Sequence, residues 1–386
     1  MIDGRGDPAL SVLGRSPWCA GIVRLHERER LIRLITRLGD EIDRRIADPG
    51  AARHPIVVLV DGFDIVRKSL DELETDTVFA TLETIVELGA PQGVVVVCAF
   101  DRVAAIPSTV LARCAARWIF HLTDPLDAIG LGVAASDVPH SQPGRIVVAA
   151  SGLEAQLMIA VAPPSTAVDG AVPAPIDCLP AEISAIDLSP TESSGGDSLL
   201  PIGLRFDNGT TCAIHVPDGE HLLIIGPARS GRSTALHRVV EAWRAAHPDG
   251  WWMVVAPRRS IFGVQNRHRS LADFVDSVPC DGNVLIAVDD AELVDDVGGV
   301  LATLAASRRP GLLIAAAGKP DSLRHSYGHW TGVVRRSRLG IVTTAANDLD
   351  GDLLCATLPR RVPIAPRPGL VWVISDGLVV LAQVAR

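Results

Sequence analysis

This sequence of 386 residues contains little of several residue types that specialised protein classes need. Its only lysines are Lys68 and Lys319, and aromatic residues make up 4% of the chain. The formal net charge is −9, so the acidic balance excludes a protein that coats DNA through its overall charge. Any contact with nucleic acid must therefore come from a local patch of arginines.

The sequence also lacks the signals of metal-binding, secreted and membrane proteins. Its seven cysteines form no CxxC pair and no Cys/His cluster at zinc spacing, which predicts reduced, mostly buried thiols. The first residues lack the basic start and apolar core of a signal peptide. The most apolar long stretch, 146–163, is interrupted by polar residues and does not match a membrane span. We expect a cytoplasmic protein that reaches the inner face of a membrane only through a partner or an upstream segment outside this chain.

The first half alternates between helix and strand patterns. Apolar residues from Leu31 to Ile46 recur at helical spacing and predict an amphipathic helix over roughly 24–47. Two β-branched runs, IVVLV before Asp61 and VVVVCAF after Gly93, predict buried parallel strands. A helix that Gly89 closes is predicted between them. This alternation is typical of an α/β sheet with helices on both faces.

A segment rich in Pro, Ser, Gly and Ala, over roughly 160–200, predicts a linker between two domains. We therefore predict one domain over 1–165 and a second over 166–386. In the second domain strand and helix patterns alternate again, and one helix is predicted to end at about residue 246. Its predicted strands are 221–225, 251–257, 284–289 and 312–318.

Landmarks of the first half return in the second half at a nearly constant separation, which indicates two copies of one domain. The matched pairs are Asp61 with Asp289, Asp127 with Asp352, Gly144 with Gly369, and Gln156 with Gln383.

A glycine-rich loop, GPARSGRST, directly follows the predicted strand 221–225. Its spacing matches the phosphate-binding loop G-x-x-x-x-G-K-[ST], except that Arg232 stands where the lysine belongs. Such a loop binds phosphate because its backbone N–H groups and the following helix N-terminus point into one concavity. Arginine keeps the charge in a bulkier, forked form, so the exchange is not conservative. The predicted nucleotide-binding residues are Gly226, Pro227, Ala228, Arg229, Ser230, Gly231, Arg232, Ser233 and Thr234.

The second half of such a site is an acid at the end of a neighbouring buried strand. The run VLIAV ends at Asp289 and Asp290 and supplies it. Ser233 and Asp289 are the predicted Mg²⁺ ligands, with Asp289 acting through water, and Asp290 is predicted to polarise the attacking water. A plainer interpretation is that glycine loops follow strands in many α/β proteins and that a strand-end Asp caps the next helix.

A basic cluster, Arg335, Arg336 and Arg338, follows in the run VVRRSRLG. Arg335 and Arg336 are candidate catalytic arginines that would meet a phosphate across a subunit boundary, as arginine fingers do. A solvated face or a salt-bridge site is the alternative.

The first copy contains no glycine loop. Asp61 ends its strand, Gly62 occupies the position of the second acid, and Asp64 is a candidate helix cap. Either the chain is a fragment of a longer protein or this copy has lost its nucleotide site. We expect a degenerate domain that serves in packing.

Read together, these motifs resemble the FtsK/SpoIIIE family of ring-forming P-loop motors, and the resemblance spans nearly the whole chain. In the second half it is carried by GPARSGRSTAL, LIAVDDAELVDD, RRSRLG followed by DGDLL, and the closing PG-x-x-W-V-x-x-DG with AQV. In the first half it is carried by IDGRGDPAL, DRVAAIPSTVLARCAARWIFHLTDPLD and QPGRIVVAASGLEAQ.

The resemblance implies two tandem RecA-like P-loop NTPase domains with parallel-rich sheets, of which the first lacks its phosphate loop. It also implies ATP and Mg²⁺ as cofactors, a homo-oligomeric ring, and one of two tasks: translocation of duplex DNA or export of proteins in type VII secretion. Tandem, partly degenerate domains with Arg-for-Lys loops resemble the secretion branch. The degenerate sites, the acidic balance and the lack of a DNA-reading winged helix set this sequence apart from strong DNA pumps.

Two function classes follow from these features. The first is an ATP-binding motor-domain pair whose ATPase activity is weak or depends on assembly. The second is a pseudo-ATPase module that docks a partner peptide and regulates a ring motor, which Arg232 and Gly62 favour.

Overall fold

The computed structural model divides into two compact units, Met1–Cys178 and Leu179–Arg386. It describes residues 1–50, 53–71, 76–158, 174–189, 197–258, 261–262, 267–268, 277–345, 348–359, 362, 364–375 and 377–386. About half of the predicted linker and the predicted boundary after residue 165 lie outside these ranges, so the domain limits stay a prediction.

The first unit contains two sheets. A four-stranded parallel sheet has the order β2-β1-β3-β4, and a three-stranded antiparallel sheet has the order β5-β6-β7. The strands are β1 Ile2–Asp3, β2 Val23–Arg24, β3 Ile56–Asp61, β4 Val94–Ala99, β5 Trp118–Ile119, β6 Arg145–Val148 and β7 Leu153–Gln156.

The described residues of the first unit form five helices, two of which were predicted. They are α1 Leu10–Leu13, α2 Arg28–Ala47, α3 Phe63–Asp71, α4 Asp76–Leu88 and α5 Ser108–Arg113. Helix α2 begins four residues later than predicted because Val23 and Arg24 pair with β1. Gly89 closes α4 as predicted, whereas the short helices α1, α3 and α5 were not predicted.

Strands β3 and β4 are parallel, as predicted, but they are not buried on both faces. Val58 and Val60 are buried, whereas Val57 and Val97 are 59% and 52% exposed. Side chains alternate between the faces of a sheet, so in these strands one face lies in the core and the other faces solvent.

The second unit is built on one mixed ten-stranded sheet. Its order is β12-β11-β13-β14-β10-β15-β16-β17-β8-β9, parallel from β12 through β15 and antiparallel from β15 onward. The strands are β8 Ser198–Arg205, β9 Thr211–Val216, β10 Leu222–Ile225, β11 Trp251–Val255, β12 Arg267–His268, β13 Val284–Val288, β14 Leu312–Gly318, β15 Gly340–Thr343, β16 Leu370–Ser375 and β17 Leu378–Val384.

The helices described in the second unit are α6 Arg232–Ala246, α7 Val300–Ser307, α8 Pro320–His325 and α9 Thr331–Val334. Helix α6 directly follows the glycine loop and buries Leu236, Val239 and Trp243 in a hydrophobic cluster with residues of the sheet. Strands β10, β13 and β14 are buried along their whole length, as their apolar runs predicted. This parallel core carries the candidate site.

The seven cysteines form no disulfide. Cys212 is buried, but Cys178, Cys280 and Cys355 are exposed, so the expectation of mostly buried thiols is wrong. These three residues lie outside the helices and strands, where no periodic pattern of apolar residues predicts which side chains are exposed. None of the helices in the described ranges combines the length and the apolar character needed to cross a bilayer.

Candidate nucleotide site

Strands β10, β13, β14 and β15 run parallel, so their carboxyl ends meet at one edge of the second unit's sheet. The glycine loop follows β10 at this edge, and Asp289 follows β13. In open α/β sheets this edge is where ligands bind. The fold therefore gathers the two sequence motifs at one place.

Two glycines of the loop are required for different reasons. A Cβ on Gly226 would lie 2.0 Å from Oγ1 of Thr343 and 2.5 Å from its carbonyl oxygen. Gly231 has φ +94°, in the left-handed region that favours glycine, and precedes the first residue of α6. Pro227, Ala228 and Arg229, between them, are exposed to solvent.

Ser233 and Asp289, the two predicted Mg²⁺ ligands, are in direct contact. The Ser233 hydroxyl lies 2.8 and 3.0 Å from the carboxylate oxygens of Asp289. Asp289 is 3% exposed, and it also accepts a hydrogen bond from the backbone N–H of Asp290. The structure thus joins the hydroxyl of the loop to the acid that follows β13, with β14 lying between β13 and β10 rather than the two being direct neighbours.

Arg232 points into the protein rather than to the solvent side of the loop. Its Nη1 donates to the carbonyl of Gly226 over 2.7 Å, and its Nη2 lies 3.2 Å from Oδ1 of Asp290. The residue is 7% exposed, and its Nε is buried without a hydrogen-bond partner among the described residues. The forked guanidinium bridges the loop and the strand-end acid, which a lysine ammonium cannot do in the same way.

Asp290, predicted to polarise water, occupies an unusual position. Its φ of +49° is in the left-handed region, and its carbonyl accepts the N–H of Leu293 as the chain enters a short 3-10 helix. Its carboxylate faces Arg232. The acid is therefore held by a neighbouring side chain and by a turn of its own backbone.

Sequence reasoning missed three residues at this edge. Thr343, at the end of β15, contacts Oγ of Ser230 with its hydroxyl at 2.5 Å and donates to the carbonyl of Ile225. Glu292 accepts from the backbone N–H of Lys319, which follows β14. Their common signal is a polar residue at the last position of a buried strand or within one turn after it.

Arg335 and Arg336 lie at the opposite end of β10. They belong to the 3-10 helix Arg335–Ser337, and Ser337 accepts a hydrogen bond from the N–H of His221, the residue before β10. Within one chain the structure does not bring these arginines to the glycine loop. Their role across a subunit boundary stays a prediction.

The first unit has a different arrangement at the end of β3. Arg5 lies 3.7 Å from Asp61 and 2.6 Å from Asp101. Burial raises the pKa of Asp61, and Arg5 opposes this by favouring the charged carboxylate. Gly62 follows with φ +66° and carries no second acid.

No protein-family model and no curated protein matches this chain. Solved structures do match it. EccC from Thermomonospora curvata (ATPases 2 and 3), in complex with a signal sequence peptide, matches with TM-score 0.72 and 16% identity over 100% of this chain and 81% of that one. The cytoplasmic domain of the type VII secretion ATPase EccC of the same organism matches with TM-score 0.70 and 17% identity. That match covers 100% of this chain and 52% of that one. EssC (ATPases 2 and 3) from Geobacillus thermodenitrificans matches with TM-score 0.62 and 17% identity. That match covers 99% of this chain and 84% of that one.

At these identities the likeness concerns the fold. It confirms the predicted α/β class with parallel-rich sheets in two RecA-like domains, and the resemblance to FtsK/SpoIIIE-type ATPases at that level. The chain has the fold of the paired second and third ATPase domains of EccC and EssC proteins.

Proposed function

We propose that the second unit binds ATP with Mg²⁺ at the glycine loop and that the chain is a module of an FtsK/SpoIIIE-type machine of the secretion branch. The contact between Ser233 Oγ and Asp289 carries this proposal. It joins the loop hydroxyl to the strand-end carboxylate, the two groups that hold Mg²⁺ in P-loop ATPases. The relatives are ATPase domains of secretion proteins, which favours protein export over translocation of duplex DNA.

The loop residues fit a phosphate ligand. Gly226 has no room for a side chain, Gly231 supplies the left-handed turn into α6, and the exposed residues between them leave the loop open to solvent. The remaining loop residue, Thr234, is also exposed. Bound MgATP would supply the phosphates and a cation that neutralises part of their charge, and Ser233 and Asp289 would hold that cation.

The ion pair of Arg232 and Asp290 supports slow turnover. Asp290 has to act on water to serve as a catalytic acid or base, but its carboxylate faces a guanidinium within the same chain. We therefore propose that hydrolysis is weak, or that it begins when assembly into a ring breaks this pair. In that ring, Arg335 and Arg336 of a neighbouring subunit are the proposed arginine fingers.

Calorimetric titration of MgATP into the full chain tests this function. We expect saturable binding by the unchanged chain and by a control, Ser307→Ala, which removes an exposed hydroxyl at the end of α7. Ser233→Ala should weaken binding by about tenfold or more because it removes a ligand of the cation. Equal affinity in all three proteins, or no binding to the folded chain, would rule out this nucleotide site.

A pseudo-ATPase module that docks a partner peptide is the second candidate. The burial of Arg232 away from the exposed loop favours it, and the EccC relative was solved with a signal sequence peptide. This candidate predicts no MgATP binding together with saturable binding of a fluorescent signal-sequence peptide. If MgATP binds and that peptide does not, this candidate is excluded.

A further inference from the structure

Lys319 is the one lysine of the second unit, since the chain's other lysine, Lys68, lies in α3. It directly follows β14, the strand between β10 and β13. Because these three strands are parallel, the chain leaves all of them at the same edge of the sheet. Lys319 therefore belongs to the edge that carries the glycine loop and Asp289, although it is not part of the phosphate-loop motif.

The register of the strands places Lys319 next to the start of the loop. Ile225, the last residue of β10, is the partner of Gly318, the last residue of β14. The chain therefore continues into Gly226 and into Lys319 from paired positions on neighbouring strands, which lie about 4.8 Å apart. An ammonium on a flexible four-carbon stem can reach a phosphate in the loop from such a position.

The ammonium of Lys319 has only a loose contact with Glu292. Its Nζ lies 3.9 Å from Oε1 of Glu292, which is too far for a hydrogen bond, and that oxygen is buried without a hydrogen-bond partner among the described residues. The side chains of Lys319 and Glu292 are 35% and 4% exposed. The backbone N–H of Lys319 donates to Oε2 of Glu292 over 3.2 Å. Glu292 thus fixes the backbone of Lys319 and leaves its ammonium able to turn toward a ligand.

The glycine loop lacks the lysine that its motif normally supplies. Arg232 bonds the carbonyl of Gly226, faces Asp290 and is 7% exposed. In other phosphate loops the lysine meets the negative charge of the β and γ phosphates. A lysine at the end of the next strand can meet the same charge from the side.

We propose that Lys319 takes over the contact of the missing loop lysine and binds the γ-phosphate of MgATP. This inference rests on the proposed nucleotide site. The γ-phosphate is favoured because the Mg²⁺ ion that an acid such as Asp289 holds bridges the β and γ oxygens. Lys319 follows the strand that lies between those leading into the loop and into this acid. Glu292 would hold the ammonium when no phosphate is bound.

The test is calorimetric titration of MgATP and of MgADP into the full chain and into Lys319→Gln, which removes the charge and keeps the backbone N–H. We expect Lys319→Gln to bind MgATP about tenfold or more weakly, because a charge-assisted contact is lost. MgADP has no γ-phosphate and should bind both proteins alike. Lys68→Gln, an exposed position in α3, is the matched control and should bind both nucleotides as the unchanged chain does.

A second variant separates a phosphate contact from a structural role of the pair. Glu292→Gln keeps an acceptor for the backbone N–H of Lys319 but removes the carboxylate. It should not weaken MgATP binding, because the ammonium loses only the partner that it leaves on binding. If the pair were merely structural, Lys319→Gln and Glu292→Gln would weaken MgATP and MgADP equally.

Labelling of amines gives a second readout in the unchanged chain. Since the chain has only two lysines, an acetylating N-hydroxysuccinimide ester followed by peptide mass spectrometry reports on each of them. MgATP should slow the acetylation of Lys319, whereas MgADP should not. Lys68 should react at the same rate throughout.

Three outcomes would overturn this inference and leave the nucleotide site standing. The first is equal MgATP affinity of the unchanged chain and Lys319→Gln, or labelling of Lys319 that MgATP does not slow. The second is an equal loss of MgATP and MgADP affinity in Lys319→Gln and Glu292→Gln. The third is that Arg229→Gln, instead of Lys319→Gln, selectively weakens MgATP binding. No binding of MgATP to the folded, unchanged chain would overturn both the site and this inference.

Discussion

The guanidinium of Arg232 lies 3.2 Å from the carboxylate of Asp290, and these side chains are 8% and 18% exposed. In a lysine-containing loop, the residue at the Arg232 position reaches the phosphates, and the acid after Asp289 is left to act on water. Here these two groups neutralise each other, and Arg232 also bonds the carbonyl of Gly226. In this structure Arg232 therefore links the glycine loop to the acid that follows Asp289.

Removing the contacts of Arg232 with Gly226 and Asp290 should destabilise the second unit. Arg232→Ala leaves Asp290 and the Gly226 carbonyl without their partner, and we expect a loss of about 1–3 kcal/mol in the free energy of unfolding. Urea unfolding followed by tryptophan fluorescence measures it, since Trp243 and Trp330 are fully buried in this unit. Arg229→Ala, in the same loop but exposed, is the matched control. Equal stability of the two variants would show that the pair does not brace the loop.

Restoring lysine should favour nucleotide. The ammonium of Arg232→Lys is compact and cannot bond Gly226 and Asp290 as a fork does, so it is free to reach a phosphate. We expect MgATP affinity about tenfold or more above that of the unchanged chain, measured by calorimetry. Arg229→Lys controls for a lysine elsewhere in the loop. If Arg232→Lys binds MgATP no more tightly than the unchanged chain, Arg232 does not limit binding.

The two loop glycines should differ in their response to alanine. At Gly226 a Cβ would overlap both the hydroxyl and the backbone of Thr343, so the ends of β10 and β15 would have to separate. At Gly231 there is open space, and alanine there adds about 1–2 kcal/mol of backbone strain. Thermal unfolding should therefore rank Gly226→Ala as the more damaging change.

Gly298→Ala, with φ +90° and open space, is the reference for backbone strain alone. Gly231→Ala should resemble it. If the Gly226→Ala chain is as stable as the Gly298→Ala chain, Thr343 and the end of β15 can move away from the added Cβ at little cost in free energy.

The buried runs and the loop spacing predicted strands β10, β11, β13 and β14 of the second unit, but not the antiparallel strands β8, β9 and β16. The run LLII of β10 leads into Gly226, and β13 leads into Asp289. Both strands pair parallel to β14, which lies between them, so the two motifs lie at the same edge of the sheet. The direction of Arg232 could not be predicted, because it depends on a contact with Asp290 far along the chain. Thr343 was missed for a similar reason, since its partners Ser230 and Ile225 belong to other elements.

The first unit was predicted less completely. The β-branched runs located β3 and β4, but the same residues are equally suited to a strand that is buried on both faces. Their exposure follows from the lack of a neighbouring strand and helix among the described residues, which a local pattern does not reveal. The short strands β1 and β2 each have two residues, and such lengths give no periodic signal.

Acid should weaken the second unit through His221. This ring is 2% exposed, its Nε2–H donates to the carbonyl of Ala305, and its Nδ1 accepts the N–H of Ile314. Burial lowers the pKa of His221 below the usual value of about 6.5. As the pH falls below that value, the unfolded chain takes up a proton that the folded chain refuses, so the free energy of unfolding falls.

Urea unfolding between pH 8 and pH 5 checks this. One proton that only the unfolded chain takes up lowers the free energy of unfolding by at most about 1.4 kcal/mol per pH unit. His221→Gln, which keeps a donor and an acceptor but does not titrate, should reduce the slope below pH 6.5. Burial also lowers the pKa of His247 and His329, so some slope should remain. His325→Gln, at an exposed position at the end of α8, is the control for the substitution itself.

Cys114 should react with alkylating agents at unusually low pH. The neighbouring Cys98 thiol favours the thiolate of Cys114 and lowers the pKa of Cys114 to about 7, while the same interaction raises the pKa of Cys98. Since the thiolate is the nucleophile, the rate of iodoacetamide labelling at Cys114 should be half-maximal near pH 7. Peptide mass spectrometry measures it, with the exposed Cys355 as the reference thiol. Cys98→Ala should move the midpoint upward, and an unmoved midpoint would show that Cys98 does not stabilise the thiolate.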